Sequence, residues 1–439
     1  MSRVLRCPLV LRALLLLLVP FGLPSARGQF DYPRRPSDTT VLEKMRGGTA
    51  KVSDSPKNED LLNDQAIWLA HRLVHPPFNG KEPDKKSAIP ESLETLLDEV
   101  DRACSWPNQR QPPNAAQMEY AKAFGKVLST KIMDVYNQTD KKLEKVNAAR
   151  MLAVAGKLPY EGLADIYLNI IRDNSYPDEI KLFAFHGLRN LLAIPDPNFP
   201  AKHFIATLAK LAEISKELEK YITHKCAPGL SAEQARVIQY IRREAVRALA
   251  QVKVSVVRQQ NEVLTKPIVT LLRVATNDKY VSPAEAALPG HGYSMMEQIE
   301  AVIGIGNMLP DKDLNLDVVA WMLNDAMDDI SKFQAKERTD FQRDERNKPL
   351  IPWRITAVHL SDAFTALKKN VASLAPRLNP KFAIDYADIV LKITTKLETE
   401  GVKAQPDYSP FNGWKRDPAR RPKATQLLNG DDSTKVEIK

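Results

Sequence analysis

The sequence predicts an all-α protein, and three features of its 439 residues indicate this fold class. Segment after segment places apolar residues three and four positions apart, the spacing that collects them on one face of a helix. Alternating β-branched and aromatic runs with Asn-Gly or Asp-Gly turns, which indicate strands, are nearly absent. Glycine is scarce, with 17 residues, whereas proline is common, with 31, as is typical of helices joined by proline-containing connections.

The first 28 residues have the three parts of a secretory signal peptide. Arg3 and Arg6 supply a positive start, a short leucine-rich core follows, and Ala26 and Gly28 are the small residues that a cleavage site requires. The apolar core is far shorter than the roughly 20 residues that span a bilayer, and no later segment reaches that length. We therefore expect cleavage after Gly28 and a secreted or periplasmic protein without an integral membrane segment.

Composition divides the rest of the chain into four parts. Residues 29–59 are polar and aperiodic, which predicts a mobile arm. Residues 60–142 form an N-terminal helical region, and residues 143–400 continue the helical pattern, with about thirteen helices in all. Gly401 suits the position just after a helix, and the Pro-, Arg- and Asp-rich residues 401–439 predict a disordered basic tail.

Five of the predicted helices resemble one another. Each has Ala or Gly at its centre and Leu, Ile or Val on either side, as in the second helix of a HEAT repeat, where small residues let neighbouring helices approach closely. The five segments are 146–156, 180–192, 241–250, 299–306 (which contains Gly304 and Gly306, expected to serve helix packing) and 355–364.

The chain is therefore similar to HEAT-like (armadillo-type) helical repeat proteins. This resemblance implies a right-handed α-α superhelix, or solenoid, of helix pairs with long loops between helices. The segments start 34, 61, 58 and 56 residues apart, so the later repeats would contain extra helices or long insertions. A bundle of Ala-rich amphipathic helices is the alternative.

Charge argues against nucleic-acid binding. Without the four arginines of the signal peptide the formal net charge falls from +9 to +5, of which residues 402–439 carry +3. A body this evenly charged does not suit a nucleic-acid groove, where Lys and Arg dominate one face. We expect at most a weak electrostatic contact of the tail with acidic components of the cell envelope.

Few residues suggest chemistry. His71 and His75 lie four residues apart on one helical face, a spacing that can bind zinc, but Arg72 stands where a metalloprotease has its acid. Cys104 and Cys226 could form a disulfide after export, although their separation of 122 residues neither favours nor excludes it. No Walker loop, Gly-x-Ser-x-Gly or Cys-x-x-Cys motif occurs. The sequence therefore predicts no catalytic site and no cofactor, and leaves the two histidines as the only metal candidates.

The long connections carry the aromatic residues that we expect to be exposed. These are Phe78, Trp106, Tyr280, Tyr293 and Trp353. Insertions in a solenoid often emerge on its binding face, where aromatic anchors suit a protein partner; alternatively, these rings fasten the loops to the helices. His359, by contrast, shares the apolar stripe of Ile355 and Ala363, which predicts a histidine in the core.

These features favour an exported helical-repeat scaffold or protein–protein interaction module without catalytic activity of its own. The alternative is an exported hydrolase, or a protein that binds a small ligand or a metal, with His71, His75 or His291 in an unrecognised pocket.

Overall fold

The computed structural model describes residues 34–72, 74, 89–104, 113–195, 205, 207–224, 231–280, 292–373, 381–429, 435 and 436. Within these ranges the protein is all-α apart from two short strands, so the predicted fold class is confirmed at this level. No helix in these ranges is long and apolar enough to cross a membrane. The predicted signal peptide lies outside them.

Fifteen α-helices are described. They are α1 (Thr39–Arg46), α2 (Pro56–His71), α3 (Ile89–Ala103), α4 (Ala115–Gln138), α5 (Lys142–Ala155), α6 (Gly162–Arg172), α7 (Asp178–Ala193), α8 (Leu208–Ile222), α9 (Ala232–Ala250), α10 (Pro267–Ala275), α11 (Met295–Asn307), α12 (Leu316–Arg343), α13 (Trp353–Ala372), α14 (Lys381–Glu400) and α15 (Ser409–Arg416). The strands β1 (Val257–Gln259) and β2 (Glu262–Thr265) form an antiparallel hairpin between α9 and α10.

Several helices begin at a capping box. Asn114, Ser231 and Ser294 each accept a hydrogen bond from the backbone N–H three residues later, and the Gln or Glu at that position accepts one in return. These reciprocal bonds satisfy backbone donors that have no partner in the first turn. The start points of α4, α9 and α11 are therefore fixed by local sequence.

Alternate helices contact one another in succession. The odd row is defined as α5, α7, α9, α11 and α13, and each of its helices packs along the next one in the row. The even row is defined as α4, α6, α8, α10 and α12, and each of its helices also touches the next one in the row, over a smaller contact. Four helices of the even row also pack on their successors, α4 on α5, α6 on α7, α8 on α9 and α10 on α11. All five HEAT-resembling segments lie in the odd row. Among the described residues, a single helix separates consecutive odd-row helices. Longer connections account for the second and third spacings, and the 28-residue length of α12 accounts for most of the last one.

Glycine lets α11 approach both of its neighbours in the odd row. A Cβ added at Gly304 would lie 2.6 Å from the Cβ of Ala250 at the end of α9, and one added at Gly306 would lie 2.8 Å from the Cβ of Ala363 in α13. Carbon atoms in contact normally stay about 3.5–4.0 Å apart. The expectation that these glycines serve helix packing is therefore confirmed.

The expected mobile arm needs correction. Residues 39–46 form α1, which begins where the Asp38 carboxylate accepts a hydrogen bond from the Val41 N–H, 3.0 Å away. Leu42 and Met45 are buried, and α1 packs against α4 and α2. An eight-residue helix has only two turns, too few for its apolar spacing to stand out in the sequence.

The expected disordered tail is also wrong for the described part of residues 401–429. Gly401 ends α14 with a φ of +63°, as its predicted position after a helix requires. Beyond it, α15 packs on α12 and buries Phe411 and Trp414. Further along, the Asn315 N–H donates a hydrogen bond to the Leu427 carbonyl, 2.8 Å away. Phe411 and Trp414 lie three positions apart and therefore share one helical face. Burial of these two large side chains orders the segment although the residues around them are polar.

This packing predicts that Phe411→Ala destabilises the protein by about 3–5 kcal/mol, because the fully buried ring would leave a cavity. Chemical denaturation followed by circular dichroism measures the change. Leu350→Ala is the control, since that side chain is 79% exposed and its loss should cost less than about 0.5 kcal/mol. Equal unfolding midpoints for the two variants would show that the tail does not pack as described.

Glu219 on α8 makes stability depend on pH. The Thr265 hydroxyl donates to its carboxylate across 2.7 Å, and burial raises its pKa to about 7. The carboxyl group therefore binds its proton more tightly in the folded chain than in the unfolded chain. The contribution of Glu219 to stability is therefore full below about pH 4.5 and falls as pH rises to 7, by at most about 3 kcal/mol. The free energy of unfolding, measured over a pH series, should decline less between pH 4.5 and 7 in Glu219→Gln than in the parent protein. The exposed control Glu233→Gln should show the same decline as the parent. A decline that persists unaltered in Glu219→Gln would assign it to another group.

Candidate binding groove

Four helices of the odd row, α7, α9, α11 and α13, form a cleft of about 400 Å³ together with the segment after α9. Its volume is in the range of ligand-binding pockets. The lining residues are Arg189, Arg247, Ala250, Gln251, Lys253, Glu300, Ile303, Gly304, Asn307 and His359. We call this cleft the groove.

A buried ion pair fixes α9 against α11, two of the helices that form the groove. The Arg242 Nε and Nη2 atoms donate to the two carboxylate oxygens of Glu297 at 2.5 and 3.0 Å, and both side chains are almost inaccessible to solvent. The same carboxylate accepts from the backbone N–H and hydroxyl of Ser294, so it also caps α11. The guanidinium lies over the Tyr293 ring, 4.5 Å from its centroid. This geometry matches the planar, bidentate recognition that arginine offers a carboxylate.

In the groove-forming helices, one histidine and two arginines surround a single buried carboxylate. Glu244 on α9 lies 2.9 Å from His186 Nε2, 3.0 Å from Arg189 Nη1 and 2.9 Å from Arg247 Nη1. Burial alone would raise its pKa, but the His186 hydrogen bond and the electrostatic interactions with His186, Arg247 and Arg189 lower it to about 2. Since the carboxylate is held ionised and saturated with donors, it is poorly suited to take up a proton as a general base.

Glu300 on α11 forms the second charge cluster of the groove. Its Oε1 accepts from Arg243 Nη2 at 2.6 Å and from Arg247 Nε at 2.8 Å. Arg247 thus bridges Glu244 and Glu300, with an elevated pKa because both carboxylates outweigh the effect of burial. The clusters connect three consecutive helices of the odd row.

Lys253 forms part of the groove wall just after α9 and has an unusual backbone conformation. Its φ of +57° lies in the left-handed region, where few residues other than glycine are found. The conformation is held because the Leu309 N–H donates to the Lys253 carbonyl at 2.7 Å and the Ser255 N–H donates to the Leu309 carbonyl at 3.0 Å. Burial lowers the pKa of the Lys253 ammonium group.

Positive charge exceeds negative charge at this surface. Four cations (Arg189, Arg243, Arg247 and Lys253) face two carboxylates, an excess of +2 with the histidines neutral. The arrangement can bind anions and hydrogen-bond acceptors.

Exposed apolar side chains lie on α9 and α13, two of the helices that form the groove. On α9, Val237 and Tyr240 are 45% and 55% exposed and share the helical face of Arg247. On α13, Ile355 is 60% exposed on the face of His359, and the neighbouring Val358 is 45% exposed. These four are half of the eight exposed large apolar residues found among the described residues. Apolar side chains beside a charged cleft are typical of an interaction surface.

The three loop aromatics that the structure describes are buried. Tyr280, Tyr293 and Trp353 are at most 6% exposed, so their predicted role as exposed partner-binding anchors is wrong. The Tyr280 hydroxyl donates to the buried Asp325 carboxylate, and the Trp353 indole N–H donates to Glu337 at 2.8 Å. These rings fasten loops to the helices, the alternative reading. Phe78 and Trp106 lie outside the described residues.

Of the three histidines singled out for an unrecognised pocket, only His71 lies among the described residues. His71 is buried at the end of α2, whereas His75 and His291 lie outside the described residues. In the described part of the chain, no three His, Cys, Asp or Glu side chains are placed to hold a metal ion. His359 is exposed and lines the groove, so its expected core position is wrong. The buried face of α13 passes through Leu360 and Phe364 instead.

Cys104 is a free thiol after α3. Its Sγ donates to the Lys157 carbonyl at 3.3 Å, and burial, with a contribution from Asp101, raises the pKa of the thiol. A protonated thiol is a poor nucleophile. Cys226 lies outside the described residues, so the disulfide considered for this pair is not part of the described structure.

Sequence reasoning missed the groove residues Arg189, Arg243, Arg247, Lys253 and Glu300. A signal was available in the 241–250 segment, where Arg243 and Arg247 lie four residues apart, away from the apolar stripe of Ile241 and Ala245. Charged residues on a helix usually mark a solvated face, and only their convergence with neighbouring helices distinguishes a site.

Comparison with models of protein families, with characterised proteins and with solved structures gives no match to this chain. The groove is therefore interpreted from its own geometry and charge.

The buried pair predicts a specific pattern of stability changes. Arg242→Met should destabilise the protein by about 3–5 kcal/mol, because it leaves the Glu297 carboxylate buried without its cation. The double variant Arg242→Met/Glu297→Gln should regain most of the loss, since glutamine is neutral and still suits a capping box. Urea denaturation of the three proteins measures this. A double variant as unstable as the single would show that an unpaired charge is not the cause.

Proposed function

We propose that this protein is an exported, HEAT-like helical scaffold that binds a protein partner through the odd-row surface around the groove. The observation that carries the proposal is the coincidence of a cationic groove with four exposed apolar side chains on one continuous helical surface. Surfaces of that composition exclude water from apolar contacts while charged groups orient the partner.

The order of helix contacts supports the solenoid part of the proposal. In a stack of helix pairs, each repeat contacts only its neighbours, and equivalent helices form a row. The odd row has this order from α5 to α13, and its members are the segments that resemble HEAT second helices. Export rests on the signal-peptide pattern of residues 1–28.

The alternatives gain less support from the described residues. For the exported hydrolase, His71 is buried at the end of α2, away from the groove-forming helices. For a tail that adheres to acidic envelope components, Lys415 is paired with Asp325 and Arg420 with Asp417, which reduces the charge available.

The test is an affinity capture from envelope extract of the cells that make the protein, with bound proteins identified by mass spectrometry. The surface variant Tyr240→Ser/Ile355→Ser should lose the specific partner, because truncated apolar anchors at an interface typically cost more than about 1 kcal/mol each. The matched control Leu208→Ser/Leu350→Ser removes two exposed apolar residues elsewhere and should retain it. A partner retained by both variants, or lost by both, would place the binding surface elsewhere.

A further inference from the structure

We propose that the Lys253 end of the groove binds a carboxylate of an acidic peptide segment, whose apolar residues cover Tyr240 and Ile355. This inference deepens the proposed function and rests on it, because it assigns a chemical class to the partner segment.

Lys253 is the groove cation whose charge is available. Arg189 pairs with Glu244, Arg243 pairs with Glu300, and Arg247 pairs with both. Among the described residues, no carboxylate lies within ion-pair distance of the Lys253 ammonium group. The two internal clusters, with three arginines against two carboxylates, keep +1 of the excess, and Lys253, unpaired within the described ranges, supplies the other +1 at its end of the groove.

The position of Lys253 is fixed before any ligand binds. Its left-handed backbone is locked by the reciprocal bonds between the chain after α9 and Leu309 after α11. Residues held in sparsely populated backbone conformations are concentrated at functional sites. Burial lowers the ammonium pKa, and a bound carboxylate would offset that effect by pairing with the charge.

The surroundings favour a peptide carboxylate over a free anion. Gln251 and Asn307 line the groove beside Lys253 and provide amide groups that can bond to a peptide backbone. A free inorganic anion would leave Tyr240 and Ile355 exposed, since both lie on groove-forming helices but neither lines the groove. A segment in which acidic and apolar residues are mixed satisfies the charge and the apolar surface together.

The probe is a fluorescein-labelled random copolymer of glutamate and tyrosine, which presents many acidic-aromatic sequences, and its binding is followed by fluorescence anisotropy at low salt. The purified protein should bind it, and a lysine–tyrosine copolymer should not bind. Lys253→Gln should weaken binding about tenfold, because a charge-assisted contact to a carboxylate is lost. Lys253→Arg should restore most of the affinity. Lys126→Gln, which removes an exposed charge from α4 in the even row, should bind like the parent protein.

Four results would overturn the assignment. Equal affinity of Lys253→Gln and the parent would remove Lys253 from the site. Displacement of the copolymer by inorganic phosphate, with Tyr240→Ser/Ile355→Ser binding normally, would identify a free-anion site. Loss of binding in Tyr240→Ser/Ile355→Ser but not in Lys253→Gln would retain the proposed interaction surface and reject the carboxylate. If all variants bind like the parent, both the surface and its ligand class are wrong.

Discussion

The Arg242–Glu297 pair is the constraint on which the groove depends. Two opposite charges removed from water must stay paired, since separation leaves each with a desolvation cost that nothing offsets. Because the contact is bidentate and Glu297 also caps α11, α9 cannot slide or rotate against α11 without losing several bonds at once. Such a pair adds little net stability compared with apolar packing, and its main effect is to fix helix register.

That register brings the surface charges into place. Arg243 follows Arg242 directly, and Glu300 lies one turn after Glu297. The buried Arg242–Glu297 pair therefore also brings Arg243 and Glu300 within hydrogen-bond distance of each other. Close packing supports the same geometry, because Gly304 removes the side chain that would separate α11 from the end of α9. The groove is therefore a consequence of how α7, α9, α11 and α13 fit together, not of any local motif.

The C-terminal segment completes the packing at the other end of the chain. Trp414 of α15 lies against Trp321 of α12, with ring centroids 6.2 Å apart, and the Lys415 ammonium reaches the buried Asp325. Asp325 also accepts the Tyr280 hydroxyl and pairs with Lys279, so a single carboxylate connects α12, the loop after α10 and the chain terminus. A buried carboxylate with several donors is stable only when all of them are present, which explains why the tail is ordered here.

The sequence by itself determined the helical class, the thirteen helices between residues 56 and 400 within the described ranges, and the roles of Gly304, Gly306 and Gly401. These features depend on interactions within a few residues, which periodicity and capping express directly. Only the tertiary structure decided that Tyr293 is buried, that α15 packs on α12, and that His186 meets Glu244, 58 positions later in the chain. Such contacts depend on which helices become neighbours and in which register. Side chains distant in sequence determine that choice together, and no local pattern records it.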